Sequence, residues 1–210
     1  MARTRAADYE EKRLGILEHA ATVFATQGIK NSSMAYIAER SGVSKALLYH
    51  YYPSKNALIF DIICSHLLAL DEALTHVSNE MKGEPAERRL RRLIHAILEN
   101  YRNADDRHKV LLDRDTALTD TQREKVHSLE RRIIVHISSA IRDIAPHLEQ
   151  ERSLLKPVTM SLFGMLNWAY MWFRPNGSVS RPEYADLLTD LMLKGVNGIQ
   201  LSQNQDGKFS

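Results

Sequence analysis

The sequence predicts an all-α protein: an N-terminal three-helix unit carrying a helix-turn-helix, set on a larger helical domain. Three observations lead there. No stretch of strict apolar/polar alternation bounded by turn residues suggests a sheet, and apolar residues recur at helical spacing instead. Serine and threonine caps, glycines and prolines divide the chain into helix-sized pieces. The segment 33–58, SMAYIAERSGVSKALLYHYYPSKNAL, reads as two short helices joined by a glycine turn, with another helix beginning at once.

Taken in order, the first helix is expected near Asp8, with Glu11 as capping partner, a buried stripe of Leu14, Leu17, Ala21 and Phe24, and a stop at Gly28. Ser33 caps the second helix and Gly42 ends it; Ser44 caps the third, which runs to about Tyr51. Pro53 breaks the chain. Ser54 caps a long fourth helix with Leu58, Ile62, Leu67, Leu70 and Leu74 at apolar positions, and Gly83 and Pro85 mark the next break. Helices are then expected at about 86–103, around 106–116, and at about 120–144, the last opened by a Thr119…Gln122 box and closed by Pro146. Another is expected at about 150–173, with Pro157 in its first half as a kink or a reset of its start. Ser180-Arg-Pro-Glu183 is a capping box for a final helix to about 200, and the tail 203–210 is polar. This divides the chain into 1–53, a three-helix unit too small to be robust alone, and 54–202, a larger helical domain.

Composition narrows the function classes. Of 210 residues, 44% are apolar and 26% charged, with a net charge of only +2, so any basic footprint for nucleic acid must be local. The single cysteine, Cys64, permits no intrachain disulfide and reads as a small apolar filler. The N-terminus lacks the apolar run of a secretory signal, and 160–173 is too short for a bilayer, which takes about 20 residues, so no membrane role and a cytoplasmic location are expected. The histidines show no metal-ligand spacing. No glycine-rich phosphate loop, nucleophile elbow or carboxylate pair stands out, so neither a metal, a cofactor nor a catalytic site is expected. Arg88-Arg-Leu-Arg-Arg and Glu130-Arg-Arg are most simply solvated helix faces.

In a helix-turn-helix the second helix reads the major groove. Ile37, Ala38, Val43 and Leu48 are the apolar pins that hold the pair at an angle. Ser44, Lys45, Ala46 and Leu47 occupy the leading end of the reader. Lys45 can donate to guanine O6 or N7, or to a phosphate; Ala46 and Leu47 can touch thymine methyls or simply allow close approach. Tyr49 and His50, one turn on, are suitable donors to phosphate. Lys55 and the free amides opening the fourth helix offer a second phosphate site, and Ser32, Ser33 and Tyr36 the opposite wall. Tyr51 and Tyr52 cannot face the same way, so at least one packs inward. Arg3, Arg5, Lys12 and Arg13 form either a minor-groove arm or a solvated terminus.

These residues make a recognisable set. Ile16-Leu-Glu-His-Ala-Ala, Phe24 with Gly28, Met34-Ala-Tyr-Ile-Ala, Gly42-Val-Ser-Lys, Leu48-Tyr-His-Tyr-Tyr and Ser54-Lys-Asn-Ala-Leu resemble the DNA-binding domain of the TetR family of bacterial transcriptional regulators. The resemblance implies a homodimer on double-stranded DNA with a palindromic operator, a separate helical ligand domain, and release from DNA on ligand binding. Leu47 departs from the small or hydroxylated residue more usual in the family, which shifts this position towards apolar contact.

The last two helices are the dimerisation candidates, through Leu162, Met165, Leu166, Ala169 and Tyr170 and through Leu187, Leu188, Leu191, Met192 and Val196. The region from Leu166 to Glu183 looks like its counterpart in a branch of the family that controls fatty-acid, phenylacetate and steroid catabolism and answers to acyl-CoA thioesters. An acyl-CoA needs an apolar tunnel, for which Leu67, Leu70, Ile94, Ile97, Leu98, Tyr101, Met160 and Phe163 are candidates. At the mouth it needs cationic or aromatic groups, for which Trp168, Trp172 and Arg174 are candidates. The competing readings are a ligand-independent architectural regulator and an acyl-thioester carrier or enzyme.

Overall fold

The computed structural model describes residues 2–113, 118–150, 154–174 and 176–199, without the side chains of 2–7 and of Gln150. All regular structure among them is helical: α1 (Ala2–Gln27), α2 (Met34–Arg40), α3 (Lys45–Tyr51), α4 (Lys55–Glu80), α5 (Ala86–Asn100), α6 (Asp105–Leu112), α7 (Asp120–Ile144), α8 (His147–Gln150), α9 (Leu155–Trp172) and α10 (Arg181–Gly198). No described helix is long and apolar enough to cross a membrane, and no three metal-ligating side chains cluster among the described residues.

The boundaries follow the capping residues. Ser33 and Ser44 accept from the third amide of their helices, Thr119 and Gln122 bond reciprocally, and Ser180 and Glu183 form the complete capping box. Two helix starts differ from expectation. The first helix begins at Ala2 rather than near Asp8, so the proposed basic arm is helical backbone. The side chains of Arg3 and Arg5 lie outside the described residues, while Lys12 pairs with Asp8 (3.1 Å) and Arg13 with Glu10 (3.0 Å) and Asp61 (2.6 Å). The helix expected from about 150 begins at Leu155, after the separate short α8. Pro157 therefore stands in the first turn, where no intrahelical N–H is required, and α9 runs on through it to Trp172.

The chain packs as two compact units. The first is Met1–Ala73 with Asn100–Ile133; the second is Leu74–Glu99 with Ile134–Ser210. The first has a core of Leu17, Phe24, Ile37, Leu48, Leu58, Ile62, Leu67 and Leu70, all buried. Each such aliphatic side chain contributes roughly 1.5–3 kcal/mol by leaving water. Leu14, expected in the same stripe, is exposed instead. Polar contacts join α1 to α6: Thr22 Oγ1 donates to Asp106 (2.7 Å), and Arg107 to Glu18 (3.1 Å).

The second unit buries Leu90, Leu93, Ile94, Ile97 and Leu98 of α5 with Leu162, Leu166, Ala169, Leu188, Met192 and Val196 of α9 and α10. Arg91 bridges Asp186 (2.6 Å) and Asp190 (2.9 Å), and Arg181 donates to the Leu98 carbonyl (2.9 Å). More than half of the residues expected to face a second subunit are thus internal core. Of that expected set Leu187 and Leu191 stay in solvent, and the other exposed large apolar side chains of α9 and α10 are Met160, Trp168, Met171 and Trp172.

Candidate nucleic-acid interface

The helix-turn-helix is built around one glycine. Gly42 has φ +66°, and its N–H and that of Val43 turn back to the carbonyls of Glu39 (3.1 Å) and Ala38 (3.0 Å). That backbone is strained for any L side chain. Of the four expected pins Ile37, Ala38 and Leu48 are buried, together with Met34, while Val43 in the turn is half-buried.

With Leu48 inward, α3 turns its other faces out. Ser44, Lys45, Ala46, Tyr49 and His50 are exposed, and Leu47 is half-buried. Ser44 Oγ accepts the Leu47 N–H (3.1 Å), which leaves the hydroxyl hydrogen available. This face therefore offers an ammonium, a hydroxyl, a phenol and an imidazole within two turns, the donor set that phosphates and purine edges require.

Two aromatic side chains fasten the far end of α3. Tyr52 is buried, and its hydroxyl donates to Asp61 Oδ2 of α4 (2.7 Å), the same oxygen that accepts from Arg13 of α1 (2.6 Å). Burial, then the bond to Asp61, keeps the phenol well above its ordinary pKa. Burial opposes the charge on Arg13, yet the hydrogen bond to Glu10 and the Asp61 carboxylate hold its pKa above the usual arginine value. Tyr51 stacks on Tyr9 of α1, ring centroids 4.6 Å apart. One inward tyrosine was legible in sequence. That both are engaged, through Asp61 and Tyr9, was not, because neither partner has any local pattern that marks it.

The opposite wall is less uniform. Ser33 caps α2, accepting the Tyr36 N–H (3.2 Å), and remains exposed; Tyr36 is half-buried. Ser32 is buried, and its hydroxyl donates to the Gly28 carbonyl (2.7 Å), so this side chain is not presented to a phosphate. Lys55 donates to the carbonyls of Ile29 (2.8 Å) and Ser32 (3.0 Å). Its ammonium ties the loop before α2 to the start of α4 and has one N–H left for an outside acceptor.

The tunnel candidates separate by exposure. Leu67, Leu70 and Tyr101 are buried in the first unit; Ile94, Ile97, Leu98 and Phe163 are buried in the second. Met160, Trp168 (60% exposed), Trp172 and Arg174 face solvent. Arg174 folds back on the Phe173 carbonyl (3.1 Å), and Trp172 sets its edge against Tyr184 (centroids 4.9 Å). Sequence reasoning passed over two buried histidines of the first unit, His66 and His108. A single histidine in a helix gives no sign of burial.

Comparison with known proteins follows the same two segments. Residues 16–62 match the family model of "Bacterial regulatory proteins, tetR family", and residues 83–196 match "Tetracyclin repressor-like, C-terminal domain". A regulator from Bordetella parapertussis, described as TetR-family, is 33% identical and superposes with a TM-score of 0.80 over 90% of this chain and 98% of its own. AibR, solved in complex with isovaleryl coenzyme A and operator DNA, shares the fold at 23% identity, with a TM-score of 0.73 over 86% of this chain and 97% of its own. The HTH-type transcriptional regulator SrpR of Pseudomonas putida is 34% identical over 73 residues, 34% of each chain. The matches to this and the other curated relatives span about a third to a half of those proteins' lengths.

Proposed function

Because this chain belongs to the TetR family of bacterial transcriptional regulators, and so is a DNA-binding helix-turn-helix protein, we propose that it is a dimeric repressor released from a palindromic operator by a small-molecule effector. The observation that carries the DNA part is the outward face of α3, with Ser44, Lys45, Tyr49 and His50 exposed beside a buried Leu48. In this reading residues 1–53 bind DNA, and 54–202 bind the effector and the second subunit in the cytoplasm. Ser33, Tyr36, Tyr49, His50 and the remaining N–H of Lys55 position the duplex through phosphates. Lys45, Ala46 and Leu47 read base edges.

The dimer reading rests on the exposed apolar side chains of α9 and α10. Met171, Leu187 and Leu191 are large apolar side chains that these two helices leave in water. Gly164 and Gly195 have nothing near the position of a β-carbon, so a facing helix can approach closely there. An acyl-CoA thioester is the effector class we favour. Its support is the resemblance over 166–183 and the fold shared with AibR, itself solved with isovaleryl coenzyme A. Trp168, Trp172 and Arg174 suit a nucleotide end in being exposed and aromatic or cationic.

The test is operator binding by the purified dimer with and without a panel of acyl-CoAs. The expected result is tight, salt-sensitive binding to one palindrome, weakened by at least one thioester. Indifference to every thioester removes the effector class and leaves the repressor; failure to bind any palindrome removes the repressor.

A further inference from the structure

The first unit contains a polar cluster in its apolar core that the DNA-binding surface does not use. His66 of α4 and His108 of α6 are each 2% exposed, and Tyr101, between α5 and α6, is 9% exposed. The rings meet: His66 and His108 edge to face at 5.9 Å, Tyr101 and His108 at 4.9 Å, His66 and Tyr101 at 5.8 Å between centroids. Three separate elements thus bring two imidazoles and a phenol to one point.

Such groups are costly to bury without hydrogen bonds, and in folded proteins nearly all buried polar atoms find a partner. Nε2 of His66 has none among the described residues. The charges facing it do not supply one. Burial, then the proximity of His108 and Arg107 on α6, pulls the His66 pKa down to about 4, so the ring is neutral near pH 7. Arg107 itself is paired with Glu18 of α1 at 3.1 Å. Either nitrogen of a neutral imidazole can carry its one N–H, so Nε2 can donate to an acceptor oxygen. The cluster has apolar neighbours along both helices. Leu70 lies four residues on from His66 along α4, Leu111 three on from His108 along α6, and both are buried.

We propose that His66, with Tyr101 and His108 beside it, is the polar anchor of the effector site, receiving an acceptor oxygen at the head of an apolar molecule. The oxygen belongs either to a carboxylate or to the carbonyl of a thioester. This rests on the effector-released reading above and names the head group that the site recognises. Donation from His66 Nε2 satisfies the buried nitrogen and orients the ligand, while Leu70 and Leu111 cover its chain.

Three probes with the same ten-carbon chain test it: decanoate, decanoyl-CoA and decylamine, which has no acceptor oxygen. Binding is followed by calorimetry and by the ring ¹⁵N resonances of His66, and operator binding is measured alongside. Decanoate, decanoyl-CoA or both should bind and shift the His66 resonances; decylamine should do neither. A carboxylate should draw a proton onto the ring, giving a buffer-dependent binding enthalpy; a thioester carbonyl should not. His66→Leu should melt no lower than the wild type, because it removes an unpartnered polar atom, yet bind the probe at least tenfold more weakly. His66→Gln, which keeps a donor, should recover part of the affinity, and operator binding without probe should be unchanged in both variants.

The proposal is overturned if neither oxygen-bearing probe binds, if the His66 resonances stay put on binding, or if His66→Leu binds as tightly as the wild type. It is overturned equally if both His66 variants lower the melting temperature and leave probe affinity intact, which would make the imidazole purely structural. Release of operator by decanoyl-CoA from wild type and His66→Leu alike leaves the effector reading standing and removes only this anchor.

Discussion

The side chains around the reader helix divide into those offered to DNA and those that hold the offer in place. Lys45 is exposed at the leading end of α3. Lys45→Ala should weaken operator binding by about 1–3 kcal/mol, relax the preference at one base step and leave the melting temperature unchanged, as measured on operator duplexes varied one position at a time. Tyr52 never reaches DNA, but its hydroxyl is bonded to Asp61. Tyr52→Phe should cost about 1 kcal/mol in urea unfolding and also weaken operator binding, through looser seating of α3. Unchanged binding alongside the stability loss would show that the latch does not orient the reader. At Gly42 a β-carbon would meet nothing within 4 Å, so the penalty is conformational alone. Gly42→Ala should destabilise by about 1–2 kcal/mol at φ +66°, an unfolding measurement that separates backbone strain from packing. Local chemistry made Gly42, Ser33 and Ser44 legible in sequence, because caps and turns are decided by neighbours within four residues. Ser32 and Lys55, expected as phosphate holders, also bond within the protein: Ser32 to Gly28, and Lys55 to Ile29 and Ser32 with one N–H left over. A serine two residues before a helix looks the same whether its hydroxyl turns to Gly28 or to solvent, and only the packed loop decides.

Helices were recovered from sequence wherever their ends carry a chemical signal, and displaced where they do not. Ser180 with Glu183, and Thr119 with Gln122, set the starts of α10 and α7. Nothing marks the start of α1, and an early proline was ambiguous in α9 until its place in the first turn was known. Faces were harder than ends. On α9 and α10 an apolar residue every three or four positions does not say which apolar side is internal. Leu162, Leu166, Leu188 and Met192 turned inward, while Trp168, Leu187 and Leu191 turned out. If the outward set is the dimer contact, Leu191→Arg should give a monomer by analytical ultracentrifugation with near-wild-type helicity, and should cut operator affinity sharply because two half-sites are no longer joined. A dimer that survives this substitution would place the interface elsewhere.

For the molecule as a whole, pH probes the buried imidazole. The folded-state pKa of His66 is about 4, below its ordinary 6.5, so the unfolded chain takes up the proton first as pH falls. Stability from this group is complete above about 6.5 and declines down to about 4, by a total on the order of 3 kcal/mol. Denaturation midpoints across that window should show the slope, and His66→Leu should flatten it. By itself the sequence determined the fold class, the helix-turn-helix and most helix ends, because periodicity, caps and glycine conformations are local quantities written in short stretches of chain. Only the tertiary structure decided which apolar faces are core, that Tyr52, Asp61 and Arg13 meet, and that His66 and His108 are buried together. Burial and pairing depend on residues brought from α1, α4 and α6, and no short window of sequence spans those three helices.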